Sequence, residues 1–338
     1  MSSNIGVAKS TSELAEVELF LAVDTGGTKT AACLADLSAP RDNCVLGRGR
    51  GSAGNPFSVG FDEATRAIGS AIEQACSAAD QDCEHVSRLM LSIAGAANPQ
   101  ISQQFVRWAH DTYQVDHVAI VSDVLPILAA GTPDCCGIAL IAGTGSIAFG
   151  RTADGRTKRC GGWGYLLGDE GSGYSVGRSA LSHALRELEC GTLWHPNSLT
   201  EAIVSKLKVN TVTELTKTVY TSDDPRSFIA SLAPLVVTAA EHGDKKAEAI
   251  LDWAATELAE LVARTADLLD GSDEPIPLAL GGGFLVRSER IQQQLDEWLN
   301  KFNVKHIAKL VTDPLEGCIR LAEPQFAGTL VEWRTPLI

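Results

Sequence analysis

Short apolar runs that end in glycine-rich turns organise this chain of 338 residues. Leu19 to Val23 is such a run, and it is followed by the turn sequence Asp24-Thr-Gly-Gly-Thr-Lys-Thr30 and a second apolar run from Ala31 to Leu37. This order predicts a strand, a tight turn and another strand. The same order returns at Gly137 to Ala142 and the turn Gly143-Thr-Gly-Ser146, so we expect a repeated strand–turn–strand unit.

Apolar residues at helical spacing mark the first segment after this unit. Asp62 to Ala79 places its apolar residues on one face, with Asp62 as a candidate N-cap. Leu89 to Ile93 and Val118 to Val121 are short apolar runs of the kind that form buried strands. The alternation predicts an α/β domain that ends near Ser122.

The second half of the chain is predicted to be mainly helical before one last strand. Ser175 to Leu188, Pro225 to Glu241 and Lys245 to Leu269 carry apolar residues at helical spacing. Pro275 to Leu280 then predicts a strand that runs into a third glycine cluster, Gly281-Gly-Gly283, and an amphipathic helix follows. Each of the three glycine clusters therefore follows a predicted strand.

The length of the chain predicts more than one domain. A single hydrophobic core stops growing at roughly 250 to 300 residues, so we expect two domains with a cleft between them. The patterns place an N-terminal α/β domain at residues 19–122 and a C-terminal α/β domain with added helices at residues 123–338. Residues 1–18 lack the basic start and apolar core of a secretory signal and are expected to form a mobile tail.

Composition excludes several classes of protein. The net charge of −14 disfavours a nucleic-acid partner, because affinity for a phosphate backbone comes from basic surfaces. The longest apolar stretches, such as Leu232 to Ala240, are interrupted or far shorter than the ~20 residues that cross a membrane. Nine scattered cysteines without a C-x-x-C pair predict reduced thiols in a cytoplasmic protein, and the seven histidines show no metal-ligand spacing.

The glycine-rich segment from Cys160 to Tyr174 is the strongest candidate for a ligand-binding loop. Glycines permit backbone conformations and close approaches that bulkier residues do not. Asp169 and Glu170 add carboxylates that can accept hydrogen bonds from the hydroxyl or amide groups of a small polar ligand. The alternative is a turn whose acids only cap a helix that begins near Ser172.

Glycine turns after strands also suit nucleotides, because backbone N–H groups reach phosphate oxygens where side chains are absent. None of the three turns fits the P-loop or the dinucleotide-binding pattern. Asp24, beside the first turn, would repel phosphates unless a divalent cation intervened, so the nucleotide hypothesis implies magnesium. The alternative is a hairpin turn in which Asp24 accepts hydrogen bonds from nearby backbone N–H groups.

Three further residues have a functional and a structural interpretation. Asp123 follows an apolar run and could accept a hydroxyl proton during attack on a γ-phosphoryl group, or it could only cap a helix over Leu125 to Ala130. Asn55 could bind a sugar hydroxyl or acetamido group, or form a turn before Pro56. Trp163 could stack on a sugar or anchor the packing of the loop.

Together, the glycine turns and the segment from Cys160 to Ser172 resemble the actin-like ATPase superfamily of sugar kinases, chaperones and actin. More narrowly, that segment resembles the N-acetylglucosamine kinase branch of the BadF/BadG/BcrA/BcrD ATPase family. The resemblance covers roughly Leu19 to Ala322. It implies an α/β, ribonuclease H-like fold of two domains, each with a mixed five-stranded sheet, that close around ATP and a sugar.

The resemblance also implies a role for individual residues. Asp24 matches a position near Mg²⁺, and Asp123 matches the catalytic base for phosphorylation of a sugar 6-hydroxyl. Phosphate-binding positions are Gly26, Gly27, Thr28, Lys29, Gly143, Thr144, Gly145 and Ser146. Adenosine-binding positions are Gly281, Gly282 and Gly283. Sugar-contacting positions are Thr28, Asn55, Asp123, Thr144, Gly161, Gly162 and Asp169. A homodimer that binds ATP, Mg²⁺ and an amino sugar is the implied assembly.

Three alternatives stay open at this point. The first is an ATPase activator or switch protein of the BadF type, although the adjacent pair Cys135-Cys136 is poorly suited to ligating one iron–sulfur cluster. The second is a sugar sensor without turnover. The third is a kinase of glucosamine or N-acetylmuramate, since the sequence does not specify the sugar, although the resemblance favours N-acetylglucosamine. The chain lacks the C-x-C-G-x-x-G-C zinc motif of repressor–kinase relatives, which disfavours a transcriptional role.

Overall fold

A computed structural model describes residues 18–83, 86–95, 98–191, 194–269 and 274–335. The predicted N-terminal tail, except for Glu18, lies outside the described residues. Two five-stranded sheets with flanking helices form the described part of the chain. Each sheet mixes parallel and antiparallel strands, which confirms the predicted α/β class with mixed five-stranded sheets.

The first sheet has the strand order β3-β2-β1-β4-β5. Its strands are β1 (Leu19–Thr25), β2 (Thr30–Asp36), β3 (Val45–Gly51), β4 (Arg88–Ile93) and β5 (His117–Val121). Strands β1, β2 and β3 form an antiparallel meander, whereas β1, β4 and β5 are parallel. The carboxyl ends of β1, β4 and β5 therefore lie at one edge of the sheet.

The second sheet repeats this topology with the order β10-β9-β6-β7-β8. Its strands are β6 (Gly137–Ala142), β7 (Ser146–Arg151), β8 (Thr157–Gly161), β9 (Ile276–Gly281) and β10 (His306–Leu310). Strands β6, β7 and β8 form the antiparallel meander, and β6, β9 and β10 are parallel. The repeated strand–turn–strand unit predicted from the sequence is confirmed.

Thirteen α-helices cover these sheets in the described part of the chain. They are α1 (Pro56–Val59), α2 (Phe61–Ala78), α3 (Pro99–Thr112), α4 (Val124–Gly131), α5 (Gly173–Cys190), α6 (Leu199–Leu207), α7 (Val212–Tyr220), α8 (Pro225–Ala230), α9 (Ala233–Glu241), α10 (Lys245–Leu268), α11 (Gly283–Arg287), α12 (Glu289–Lys301) and α13 (Pro314–Leu321). Helices α5 to α10 lie between β8 and β9 in the chain and supply the helical second half that the sequence predicts.

Two details of the predicted helices were wrong. The single helix expected over Pro225 to Glu241 is two helices, α8 and α9, because Pro234 in the first turn of α9 has no N–H to continue a hydrogen-bonded ladder from α8. Asp62 is not the N-cap of α2, which begins at Phe61 after Gly60 at φ +82°. Asp62 lies instead in the first helical turn, where its charge complements the helix dipole.

Strand β3 approaches helix α2 unusually closely through alternate glycines. Methyl groups added to Gly47, Gly49 and Gly51 would overlap backbone carbonyl oxygens of α2, those of Ala75, Ala71 and Ala67 in turn. The three glycines share one face of β3, because side chains alternate along a strand. Backbone therefore packs directly on backbone here, and this contact brings α2 onto the sheet that carries Asp24.

Helices α4 and α13 join the two sheets through one buried cluster. This cluster contains Phe20 from β1 together with Ala139 from β6 and Ala279 from β9. Helix α13 comes from the C-terminal part of the chain yet packs on α4 and β1, and Val118 of β5 bridges to Arg334. The domain boundary near residue 122 stays a prediction, with α13 as a segment that returns to the first sheet.

The expectation that all cysteines are reduced was wrong for one pair. Cys76 and Cys83 form a disulfide, with Cα atoms 5.9 Å apart. Helix α2 ends between these two residues, so the chain reverses there and brings the second cysteine back to the first. Separately, no helix in the described ranges combines the length and the apolar character that a membrane span requires.

We predict that Gly49→Ala destabilises the protein, because the added methyl group cannot avoid the Ala71 carbonyl without moving α2 off β3. Overpacking of this kind costs about 1 to 3 kcal/mol, and a clash with backbone belongs at the upper end. Urea unfolding followed by circular dichroism measures the effect. Gly69→Ala in α2 is the matched control, because its methyl group would meet only the Tyr113 hydroxyl at 3.5 Å, and equal stability of the two variants would contradict the packing account.

Candidate active site

The parallel strands of the first sheet bring two aspartates to the same edge. Asp24 lies near the carboxyl end of β1 and pairs in register with Ser92 of β4, which pairs in turn with Val121 of β5. Asp123 follows β5 by two residues. Its negative charge acts on Asp24 and contributes to raising the pKa of that carboxyl, so the two groups face one site.

Asp24 is an acid held in a poorly solvated position. Burial is the main cause that raises its pKa from 3.8 to about 7, and the charge of Asp123 adds to the effect, whereas a hydrogen bond from Ser92 opposes it. The Ser92 hydroxyl donates that bond to Asp24 Oδ1 over 2.8 Å. The turn itself is closed by the Gly26 N–H, which donates to the Lys29 carbonyl over 3.1 Å. The alternative in which Asp24 only ties down the turn backbone was therefore wrong.

The donor set at Asp24 suits magnesium rather than a transition metal. A buried carboxylate with a raised pKa gains from a nearby cation, and its oxygen atoms are the hard ligands that Mg²⁺ prefers. Among the described residues no group of three or more histidine, cysteine, aspartate or glutamate side chains is placed to hold a metal ion. Protein sites hold Mg²⁺ through one or two carboxylates, while substrate phosphates and water complete the shell.

Asp123 precedes helix α4 but does not cap it. Its backbone is helical (φ −54°, ψ −21°), and its side chain accepts no capping hydrogen bond from the helix. The Ser122 hydroxyl donates to Asp123 Oδ1 over 3.2 Å. Burial raises the pKa of this carboxyl, and the positive charge of Arg159 partly offsets that effect. The carboxylate therefore lacks the usual N-cap geometry, although backbone N–H groups of Asp123 and Val124 interact with it weakly and oppose the rise in its pKa.

The three glycine turns meet in space. A methyl group on Gly27 would lie 3.9 Å from the Thr144 hydroxyl, which joins the first turn to the second. A methyl group on Gly143 would lie 3.7 Å from the backbone nitrogen of Gly283, which joins the second turn to the third. Gly282 has φ +90° and approaches the Ala142 backbone so closely that no side chain fits. Strands β1, β6 and β9 thus deliver their turns to one place.

Asp169 forms hydrogen bonds inside the site and does not cap a helix. The residue is 2% exposed, and its carboxylate accepts hydrogen bonds from the Ser146 N–H over 3.2 Å and from Arg226 over 2.8 Å. Helix α5 is capped instead by the Ser172 hydroxyl, which accepts from the Ser175 N–H. The capping alternative for this loop was wrong, because Asp169 connects the glycine-rich loop to the second glycine turn.

Asn55 forms the turn before Pro56, and its sugar-binding role stays a prediction. Its Oδ1 accepts a hydrogen bond from the Phe57 N–H over 3.0 Å and so caps helix α1, as the turn interpretation requires. The neighbouring Gly54 N–H donates to the Gly26 carbonyl over 3.1 Å, which places Asn55 beside the first glycine turn. The side chain is buried at 8% exposure, and its amide N–H groups form no hydrogen bond with the described residues.

Two arginines at the site were missed by sequence reasoning. Arg226, from α8, forms an ion pair with Asp169, and Arg159, from β8, lies within electrostatic reach of Asp123. The Arg159 guanidinium stacks 4.6 Å from the Trp163 ring and donates to the Gly161 and Gly162 carbonyls. Trp163 is 63% exposed, so it is not a packing anchor. Arg159 lies one residue before the glycine-rich segment, so its position in the sequence indicated a place near the site. Arg226 is 57 residues from its partner Asp169, and no local pattern links the two.

The chain is similar to known proteins over most of its length. The model of the BadF/BadG/BcrA/BcrD ATPase family matches residues 21–319. The chain is 28% identical over 310 residues to an N-acetylmuramic acid/N-acetylglucosamine kinase of Clostridium acetobutylicum, covering 91% of this chain and 99% of that protein. It is 29% identical over 320 residues to an N-acetyl-D-glucosamine kinase of Dictyostelium discoideum, covering 90% and 98% of the two chains.

A solved structure is similar over the same extent. It is a crystal structure from Chromobacterium violaceum, described as a presumed N-acetylglucosamine kinase. The two chains share 28% identity and superpose with a TM-score of 0.72, covering 91% of this chain and 99% of the other. The similarity therefore extends through both sheets and the helices between β8 and β9.

We predict that Asp24 makes the metal-free protein less stable as pH rises. The folded state holds the Asp24 proton up to about pH 7, whereas the unfolded chain releases it near pH 3.8, so the free energy of unfolding falls with pH between those values. Asp24→Asn removes this dependence. Its gain in melting temperature over the wild type should grow from pH 5 to pH 8 in EDTA. A gain that does not change with pH would contradict the buried, protonated carboxyl.

Proposed function

This chain belongs to the BadF/BadG/BcrA/BcrD ATPase family, and from that premise we propose that it is an ATP-dependent kinase that phosphorylates the 6-hydroxyl of an amino sugar. The observation that carries the proposal is Asp123, a partly buried carboxylate that follows β5 and lies within electrostatic reach of Asp24, beside the first glycine turn. Its raised pKa brings it closer to the operating pH, which suits a general base.

The glycine turns are proposed to bind ATP. The phosphates are assigned to the first turn, residues 26–29, and to the second turn, residues 143–146, because both expose backbone without obstructing side chains. Adenosine is assigned to residues 281–283, whose Gly283 nitrogen lies beside Gly143. Lys29 in the first turn is exposed and supplies a positive charge that can meet a phosphate.

The reaction follows from the position of Asp123. Its carboxylate accepts the proton of the sugar 6-hydroxyl as the hydroxyl oxygen forms a bond to the γ-phosphorus and the bond from that phosphorus to the ADP oxygen breaks. ADP leaves with the electron pair of the broken bond, and Asp123 later loses the proton to solvent. Asp24 would hold Mg²⁺, through water, and the ion would neutralise charge on the phosphate oxygens.

The amino sugar is assigned to the glycine-rich loop, beside the turns that are assigned to the phosphates. Gly161 and Gly162 have φ values of +73° and +70°, which favour glycine, and added methyl groups would meet Leu261 at 3.0 Å and Arg159 at 2.8 Å, so no larger residue fits in this part of the loop. Asn55 contributes amide donors, and Asp169 retains lone pairs beyond the two it already shares. Thr28 and Thr144 complete the proposed sugar contacts.

The similar proteins bear on which sugar is bound. The two curated relatives are kinases of N-acetylated amino sugars, which favours N-acetylglucosamine, and the clostridial relative adds N-acetylmuramate as a second candidate. The ATPase activator is the weaker candidate, because the adjacent pair Cys135-Cys136 is poorly suited to ligating one cluster. A cytoplasmic homodimer completes the proposal.

We predict that ADP release from Mg²⁺-ATP is low without sugar and rises at least about tenfold with one N-acetylated amino sugar. The panel is glucose, glucosamine, N-acetylglucosamine, N-acetylmannosamine and N-acetylmuramate, assayed by coupled ADP detection. Sugar binding excludes water and completes the site, so turnover should depend on it. A rate of ADP release that is the same with and without each sugar would instead support an ATPase activator.

We predict that Asp123→Asn lowers kcat by about 10²- to 10⁴-fold, because the amide cannot accept the hydroxyl proton. Binding of the sugar, measured by calorimetry, should be retained, since the substitution preserves size. Asp116→Asn is the matched control, because Asp116 is exposed beside the opposite end of β5. Near-normal turnover by Asp123→Asn would remove Asp123 as the base.

A further inference from the structure

Arg226 lies at the junction of the glycine-rich loop and the second glycine turn. Its terminal Nη2 donates to Asp169 Oδ2 over 2.8 Å, while the other oxygen of Asp169 accepts from the Ser146 N–H. A methyl group added to Gly145 would lie 2.9 Å from the same Arg226 nitrogen. The guanidinium therefore lies directly beside the turn to which the phosphates of ATP are assigned.

The residue next to Arg226 approaches the first glycine turn. The Ser227 hydroxyl lies 3.5 Å from the Gly27 carbonyl oxygen, 200 residues away in the chain. Since Gly27 also lies beside Thr144, helix α8 carries Arg226 to the place where both turns meet. The glycine-rich loop and the second turn thus contact Arg226, and the first turn contacts its neighbour Ser227.

The hydrogen bonding of Arg226 is incomplete in the protein alone. A guanidinium has five N–H donors, and the bond to Asp169 uses one of them. The Nε atom is buried and has no hydrogen-bond partner among the described residues, and the face of the group rests 5.7 Å from the Tyr165 ring. The Arg226 side chain is 24% exposed, so its remaining terminal N–H donors can reach a ligand bound at the second turn.

The chemistry of the site indicates that this ligand is a phosphate group. Asp24, Asp123 and Asp169 all contribute carboxylates, which would repel an incoming phosphate. An arginine presents paired donors that match two phosphate oxygens, and its charge does not depend on pH. Asp169 holds one side of the guanidinium and so orients the remaining donors.

We propose that Arg226 contacts the phosphoryl group as it passes from ATP to the sugar, with Asp169 as the residue that holds the guanidinium beside the second turn. This inference rests on the proposed kinase function and assigns to it a residue that sequence reasoning did not identify. A competing role is purely indirect, in which Arg226 only orients Asp169 for sugar binding. The two roles differ in whether kcat or sugar affinity changes.

The test compares Arg226→Ala and Arg226→Lys with the wild type under the same conditions. Loss of a donor to the transferred group should lower kcat about 10²- to 10³-fold, while the calorimetric Kd for the unphosphorylated sugar changes by no more than about threefold. Arg226→Lys should recover part of the loss, because it keeps the charge but not the paired donors. Product inhibition by the sugar 6-phosphate should weaken in the alanine variant.

Arg290→Ala is the matched control. Arg290, on α12, also has a buried Nε without a hydrogen-bond partner and pairs with Glu248 at 3.6 Å, but it lies among helices away from the turns. The kcat of the Arg290→Ala variant should equal that of the wild type. Thermal melting establishes that each variant is folded, and Arg226→Lys carries the test if the alanine variant is not.

Two outcomes overturn the inference. One is a kcat for both Arg226 variants within about threefold of the wild type. The other is a loss confined to sugar affinity, which would make Arg226 a positioning residue for Asp169. Failure of the proposed function is a different result, because the wild-type protein itself would then show no sugar-dependent turnover.

Discussion

The structure depends on a single constraint: parallel strands of each sheet end at the same edge, and the polar groups that follow them must share that space. In the first sheet this edge holds Asp24 and Asp123, whose carboxylates are poorly solvated and raise each other's energy when charged. The second sheet repeats the topology and delivers glycine turns to the same place. The site is a consequence of how the strands run, with helices added around it.

The closely spaced carboxyl groups determine the proton affinity of this site and its need for positive charge. Desolvation raises the pKa values of Asp24 and Asp123, so the site gains from positive charge and can take up a proton near neutral pH. The chain supplies cations from separate elements: Lys29 from the first turn, Arg159 from β8 and Arg226 from α8. A phosphate ligand that binds with a cation would bring positive and negative charge at the site closer to equal. Local positive charge of this kind lets a protein with a net charge of −14 bind an anionic nucleotide.

Local patterns predicted the parts of the fold that depend on local chemistry. The strand–turn–strand units, the helix over Lys245 to Leu268 and the glycine turns were all visible as apolar runs and glycine clusters. What the sequence could not supply were pairings between distant segments. Arg226 had no local motif that tied it to Asp169, and the glycines of β3 have meaning only opposite the alanines of α2. Pro234 is a sequence signal for the break between α8 and α9, but the continuous helical spacing of apolar residues predicted a single helix.

Identification of the product tests the central claim most directly, namely that the shared edge transfers a phosphoryl group from ATP to a sugar hydroxyl. The measurement is two-dimensional ³¹P–¹H nuclear magnetic resonance of a reaction with Mg²⁺-ATP and N-acetylglucosamine. The account predicts a new phosphorus signal that correlates with the two protons on carbon 6 of the sugar. Inorganic phosphate as the sole new phosphorus species beside ADP, or a correlation to the anomeric proton, would contradict it.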